Sequence, residues 1–340
     1  MSGIWWAVII GGIIFVILIW YIATANKLNR TIVIPEASFS ERMCLAGIEC
    51  AKNNICNVIF LTDNDSAFDE YKIGKYNNIR VINYLNHEAL PMMISALVEL
   101  RKSKGLTEEQ AAELLKDPVY FGTMLVELDM ADGLVAGAEI STAKTFKPAF
   151  QIIKAKSKEN IISSFFVMVK PEKKDEKVYL LSDCGVNINP SMEEIVDIAK
   201  ASAFSAKSIA FLDPKVALLS YSTKGSAEGD CALKMRGAYE VLKNQDIDFV
   251  VNGELQLDCA IVPTVAQLKN PNGTIKGDAN VLVFPNLESG NIGYKLMQRF
   301  GGFYAFGPIA QGIRKPINDV SRGATVDEII VTIAITCIQK

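Results

Sequence analysis

VLVFPNLESGNIGYKLMQR, residues 281–299, decides how the chain folds. It opens on a continuous apolar run, the mark of a strand covered on both faces, and passes through polar turn residues into a helical stretch. Gly290-Asn291-Ile292-Gly293 is read as the passage from strand end to helix. The same grammar extends outward in both directions. Upstream, 216–220 (VALLS) and 249–252 (FVVN) are strands separated by helices, and Pro190–Ser208 is helical. Ile161–Val169 and Val178–Ser182 are strands on either side of a charged hairpin turn, Pro171–Lys177, which adds an antiparallel element. Nearer the start, 31–35 (TIVIP), 57–61 (NVIFL), 78–83 and 133–137 (GLVAG) are strands. Ser40–Asn53 and His87–Lys104 carry helical spacing, the latter stopped by Gly105. Thr107 and Gln110 form a capping box, and Val326–Gln339 is a final helix. Strands alternating with helices define an α/β fold: two α/β domains with mainly parallel sheets, a pattern shift near Lys158, and an interdomain cleft as the expected binding site.

The 340 residues carry a net charge of −3, so no electrostatic footprint for nucleic acid is present, and an anion must be held by local basic groups. Seven cysteines are dispersed without a C-x-x-C pair and read as free thiols of a reducing compartment. With one histidine, His87, and no cysteine cluster, no metal site is expected. His87 itself reads as a cap or turn residue after the 79–84 strand.

Residues 1–26 contain no charged side chain, and 4–24 are almost wholly apolar. At ~1.5 Å per residue that stretch spans a bilayer core of about 30 Å. Trp5 and Trp6 stand at one end and Trp20 and Tyr21 at the other, while Lys27 and Arg30 follow directly. This predicts a transmembrane helix at 1–28, inserted in a lipid bilayer through residues 4–24, with the body of the protein cytoplasmic. A cleaved signal peptide competes through Ala23-Thr24-Ala25, but the Met-Ser-Gly start lacks its basic region.

Neither G-x-G-x-x-G nor G-x-x-x-x-G-K-[ST] occurs. Four stretches pair strand ends with small, polar or basic residues: 219–227 (LSYSTKGSA), 253–263 (GELQLDCAIVP), 281–299 and 307–323 (GPIAQGIRKPINDVSRG). Ser222 and Lys224 lie in a donor-rich turn suited to an anion. Asn291 lies where helix amides could hold an oxyanion. Ser321 and Arg322 combine a hydroxyl and a guanidinium fork just before the last helix. Each alone is an ordinary turn; four on one α/β chain point to a phosphate-handling site.

Together with 31–36 (TIVIPE) and 182–190 (SDCGVNINP), these stretches resemble the phosphate acetyltransferase family over residues 30–340. The phosphate butyryltransferases resemble the C-terminal stretch less well. The resemblance implies reversible transfer of acetyl between coenzyme A and phosphate, with no cofactor, in a homodimer. It implies a first domain of 29–158 plus 309–340 and a second of 159–308. It assigns the phosphoryl group to Ser321 and Arg322, CoA binding to Arg299, and a substrate-side arginine to Arg101. The family's basic aspartate falls on Glu328, which also reads as the N3 member of a Thr325–Glu328 capping box. Lys147 stands where the family has arginine, keeping charge but losing the bidentate fork. Two alternatives follow from these departures: transfer of longer acyl groups, and a weakened membrane-bound protein that binds CoA or acyl phosphate.

Overall fold

The computed structural model describes residues 29–156, 161–170 and 177–339. The expected membrane-spanning segment and the turn of the charged hairpin lie outside them. Among the described residues no helix is long and apolar enough to cross a membrane.

The chain starts with β1 (Thr31–Ile34), α1 (Glu41–Lys52), β2 (Asn57–Thr62) and β3 (Ile79–Asn83). Four short helices follow or flank β4 (Gly133–Ala136): α2 (Leu90–Leu100), α3 (Glu108–Leu114), α4 (Pro118–Glu127) and α5 (Thr142–Pro148). The capping box at Thr107 and Gln110 is present, and Asp117 caps α4. His87 accepts the Ala89 N–H through Nδ1 at 3.2 Å, as a turn residue should.

Next come the antiparallel pair β5 (Ser163–Lys170) and β6 (Lys177–Ser182), then α6 (Met192–Ser208), whose Ser191 and Glu194 make a second capping box. The rest of this region is β7 (Lys215–Leu219), α7 (Asp230–Lys243), β8 (Val250–Leu255), α8 (Leu257–Ile261), α9 (Pro263–Lys269), β9 (Val281–Val283), α10 (Leu287–Arg299) and β10 (Tyr304–Gln311). The last elements are β11 (Ile317–Asp319) and α11 (Val326–Ile338).

Two units emerge, with boundaries at Lys156 and Gly312. In the first, residues 29–156 combine with residues 313–339. Its five strands run in the order β11-β4-β1-β2-β3, all parallel. Ile32, Val33, Ile34, Phe60, Leu61 and Leu134 are fully buried there, each contributing about 1.5–3 kcal/mol of apolar burial. The second unit has the order β10-β5-β6-β9-β7-β8, parallel from β6 to β8 and antiparallel at the β10 edge. Phe166 and Tyr294 stack at 3.9 Å in its core. The sequence pattern sets no bounds for β10, which runs into the 307–323 stretch, or for β11, which lies within it.

Candidate active site

In the first unit the chain passes from β1 to β2 and β3 on one side, then to β4 and β11 on the other. Strand order therefore reverses between β1 and β4, and loops leaving their carboxyl ends diverge to leave room for a ligand. The residues beyond these ends are Pro35–Ser40, Gly137–Ser141 and Val320–Thr325.

Glu36 organises the first of these loops. It is fully buried, and its carboxylate accepts the N–H groups of Gly137, Ala138, Glu139 and Ile140 at 3.1, 2.8, 3.3 and 3.1 Å. Burial raises its pKa, and the four N–H groups pull the other way. Gly137 has φ +108°, and a Cβ there would stand 2.0 Å from Asp319 Oδ1, so only glycine fits. Asp319 ends β11, is fully buried, and accepts hydrogen bonds from Thr142 Oγ1 at 2.6 Å and Thr145 Oγ1 at 2.8 Å.

Arg42 fastens the loops together. Its Nη1 donates to the carbonyls of Arg322 at 3.0 Å and Ala324 at 2.7 Å, and Nη2 to the Ala138 carbonyl and Glu139 Oε1, both at 2.9 Å. Ser40 Oγ also donates to Glu139, at 3.0 Å. The guanidinium holds the Glu139 carboxyl below its ordinary range. On this support Ser321 is half-buried, its carbonyl closing a turn with the Ala324 N–H at 2.8 Å, and the Arg322 side chain is exposed.

Glu328 completes the predicted box: its Oε2 accepts the Thr325 N–H at 2.9 Å while Thr325 Oγ1 accepts the Glu328 N–H at 3.2 Å. Arg101 ends α2 beside the Tyr120–Gln151 hydrogen bond of 2.9 Å; burial raises the Tyr120 phenol pKa and the Arg101 charge lowers it. Lys147 is exposed on α5, immediately before the wide turn Ala149–Ile153 that carries Gln151.

The second unit corrects two expectations. Ser222 is wholly buried and donates to Glu254 Oε1 at 2.9 Å; the Gly225 N–H reaches the same oxygen at 2.7 Å. Arg236 pairs with both Glu254 oxygens at 3.1 and 3.0 Å. Lys224 turns its ammonium onto the Gly253 carbonyl and the Tyr239 ring. The turn does bind an anion, but that anion is the protein's own Glu254. Likewise Gly290–Gly293 lies inside α10 rather than at its start, where Asn286 caps Ser289. Asn291 donates to the Cys184 carbonyl at 3.2 Å, and Arg299 is exposed at the far end of that helix. A cavity of about 490 Å³ lined by Ile188, Asn189, Asp230, Cys231, Lys234, Asn286 and Glu288 contains none of the selected residues. Its lysine already serves the oxygens of Asn189, Pro190 and Pro285, each at 2.8 Å.

Glu36, Arg42, Thr142, Thr145 and Asp319 were not selected from the sequence. Glu36 was visible within TIVIPE as a carboxylate directly after a buried strand. Nothing local marks the other four, whose partners are remote in the chain.

A parallel α/β sheet whose strand order reverses between β1 and β4, with a Ser-Arg pair on a loop beyond that point, places the chain in the α/β class. Residues 16–337 match the family model for phosphate acetyl/butaryl transferase, and the chain belongs to that family. It is 43% identical over 319 residues to a phosphate acetyltransferase of Thermoanaerobacterium thermosaccharolyticum, covering 93% of this chain and 96% of the relative. Among solved structures it is similar to the EutD phosphotransacetylase of Staphylococcus aureus, with TM-score 0.83 and 39% identity over 95% of this chain and 98% of that one. A phosphotransacetylase from Streptococcus pyogenes gives 0.84 and 39%, covering 92% and 95%.

Proposed function

We propose that the protein is a phosphate acetyltransferase, catalysing acetyl-CoA + phosphate ⇌ acetyl phosphate + CoA. The exposed guanidinium of Arg322, on a loop that Arg42 fastens at the switch point, carries this reading, and the relatives of the same name support it.

In the direction of acetyl-CoA synthesis, the CoA thiol loses its proton and the thiolate attacks the acetyl carbonyl. A tetrahedral oxyanion forms, stabilised by Ser321 and by backbone N–H groups of its loop. The C–O bond then breaks, and phosphate departs with the bonding electron pair while Arg322 holds its oxygens. Glu328 is the assigned acceptor of the thiol proton; its place in the capping box fixes where that carboxylate stands. Arg101 and Lys147 are assigned to the phosphoryl side and Arg299 to CoA. Ser222 and Lys224 act on the turn that Glu254 anchors. Acetyl passes directly between sulfur and oxygen, so the step calls for no prosthetic group.

Acetyl-CoA formation from acetyl phosphate and CoA tests the assignment, with Arg322→Ala expected to lose most activity. Turnover absent with acetyl, propionyl and butyryl phosphate alike rejects it. Preference for butyryl phosphate selects the longer-acyl alternative, and CoA binding without turnover selects the binder. We also assign residues 4–24 as an anchor that keeps the catalytic body on the cytoplasmic face, and a homodimer as the working state. Membrane fractionation and light scattering check these two; wholly soluble, uncleaved chain removes the anchor.

A further inference from the structure

Lys154 follows the wide turn Ala149–Ile153 with φ 64° and ψ 176°, a backbone region occupied almost only by glycine. Such a conformation persists where the surroundings dictate it, and here they do. The Lys154 N–H closes the turn on the Ala149 carbonyl at 3.0 Å, and Tyr120 Oη holds its middle through Gln151 Oε1 at 2.9 Å. From the other side Arg314 donates through Nε to the Ile153 carbonyl at 3.0 Å. Its backbone N–H reaches the Lys154 carbonyl at 3.2 Å. Arg314 is itself held by both Glu127 oxygens, at 2.9 and 2.7 Å. None of these contacts uses the lysine side chain. Glycine would keep them all and remove the strain.

The side chain has its own partner elsewhere. Its ammonium donates to the Leu100 carbonyl oxygen at 3.4 Å, across 54 residues of chain. Leu100 is the last residue of α2, a helix with no basic residue in its final turn. A cation placed on a terminal carbonyl satisfies that oxygen and meets the negative end of the helix. The next residue is Arg101, half-buried, whose guanidinium makes no hydrogen bond or ion pair among the described residues.

We propose that Lys154 is a positioning residue for the phosphoryl subsite: its ammonium fixes the end of α2 and with it the direction in which Arg101 is presented. The proposal rests on the acetyltransferase reading, which assigns Arg101 to the phosphoryl side. It accounts for a lysine where the backbone alone favours glycine: the strain is kept for the sake of the ammonium. Stability and substrate binding therefore oppose each other at this position.

Lys154→Gly separates the two effects, with acetyl-CoA formation and thermal denaturation as readouts. The denaturation midpoint should rise as the left-handed backbone is relieved. The KM for acetyl phosphate should increase about tenfold, the scale of one weakened hydrogen bond to a charged group, while the KM for CoA stays at its wild-type value. Lys154→Arg keeps a cation for the Leu100 carbonyl and should restore the acetyl phosphate KM. Arg101→Ala should raise that same KM, and adding Lys154→Gly to it should raise it no further, because the lysine acts through the arginine. An unchanged KM in Lys154→Gly, additive effects in the double variant, or a midpoint that falls while both KM values rise overturns the proposal. Wild-type protein that turns over no acetyl phosphate rejects the acetyltransferase reading itself, and the proposal with it.

Discussion

Arg42 meets Arg322 through the backbone: its Nη1 donates to the Arg322 carbonyl oxygen at 3.0 Å, leaving the second guanidinium to point elsewhere. One arginine fixes the peptide and the other is presented by it. Arg42→Lys keeps the charge but cannot span the carbonyls of Ala138, Arg322 and Ala324 with one fork. A loop displaced by ~1 Å costs about 10²-fold in rate. Steady-state kinetics of the variant should show kcat reduced by about that factor; wild-type kcat would mean the loop holds its place unaided.

Glu328 has two assignments, and one substitution separates them. Glutamine also serves at N3 of a capping box, so Glu328→Gln keeps the Thr325 contact and loses proton acceptance. Urea denaturation should shift by less than ~0.5 kcal/mol, while kcat should drop about 10²–10⁴-fold, the usual span for a removed base. Full activity in this variant would confine Glu328 to the cap.

Glu254 links pH to stability. Burial alone would raise its pKa, but Arg236, the Gly225 N–H and Ser222 outweigh it and bring it to about 2. A group whose pKa is depressed on folding contributes fully above its ordinary value of 4.5 and loses that contribution as pH falls toward 2. Glu254→Gln should therefore cost about 1.5–3 kcal/mol at neutral pH, the range for hydrogen bonds to a charged group. The gap from wild type should close in acid. Denaturation curves across pH check this, and a constant gap would point to packing alone.

Gly290 inverts a familiar rule. Alanine in a helix interior normally gains up to ~1 kcal/mol over glycine. At this position a Cβ would lie 2.3 Å from the Asp183 carbonyl oxygen, which is backbone and cannot swing away. Gly290→Ala should destabilise by about 1–3 kcal/mol, as overpacking does. An increase in the denaturation midpoint would show that α10 can stand off from the β6 loop.

Local grammar made much of the fold readable. Buried runs such as Val33 and Phe60 lie in strands, and Thr107 and Thr325 both cap as their spacing predicts. β10 was hidden because Gly307 and Pro308 interrupt it; an edge position and a register shift between Phe306 and Ile309 accommodate them. β11 has three residues, too few for a period. The donor-rich turn at 222–226 was correctly read as seeking an anion, but Glu254 lies thirty residues on and the pairing exists only after folding. Glu36 is in the same position with respect to a loop a hundred residues away. Chemistry of a turn is local information; ownership of its partner is not.

The sheet of the first unit is closed at one edge by β11, which pairs with β4 through Ile317–Leu134, Asn318–Val135 and Asp319–Ala136. During synthesis, β4 must wait for some hundred and eighty intervening residues, on the order of ten seconds or more at ribosomal speeds. For that interval an apolar strand edge is bare, and no polypeptide stopped short of β11 can assemble the Ser-Arg loop. Nascent chains of this protein should depend on chaperones late in translation, and premature termination should yield aggregates rather than a sluggish enzyme.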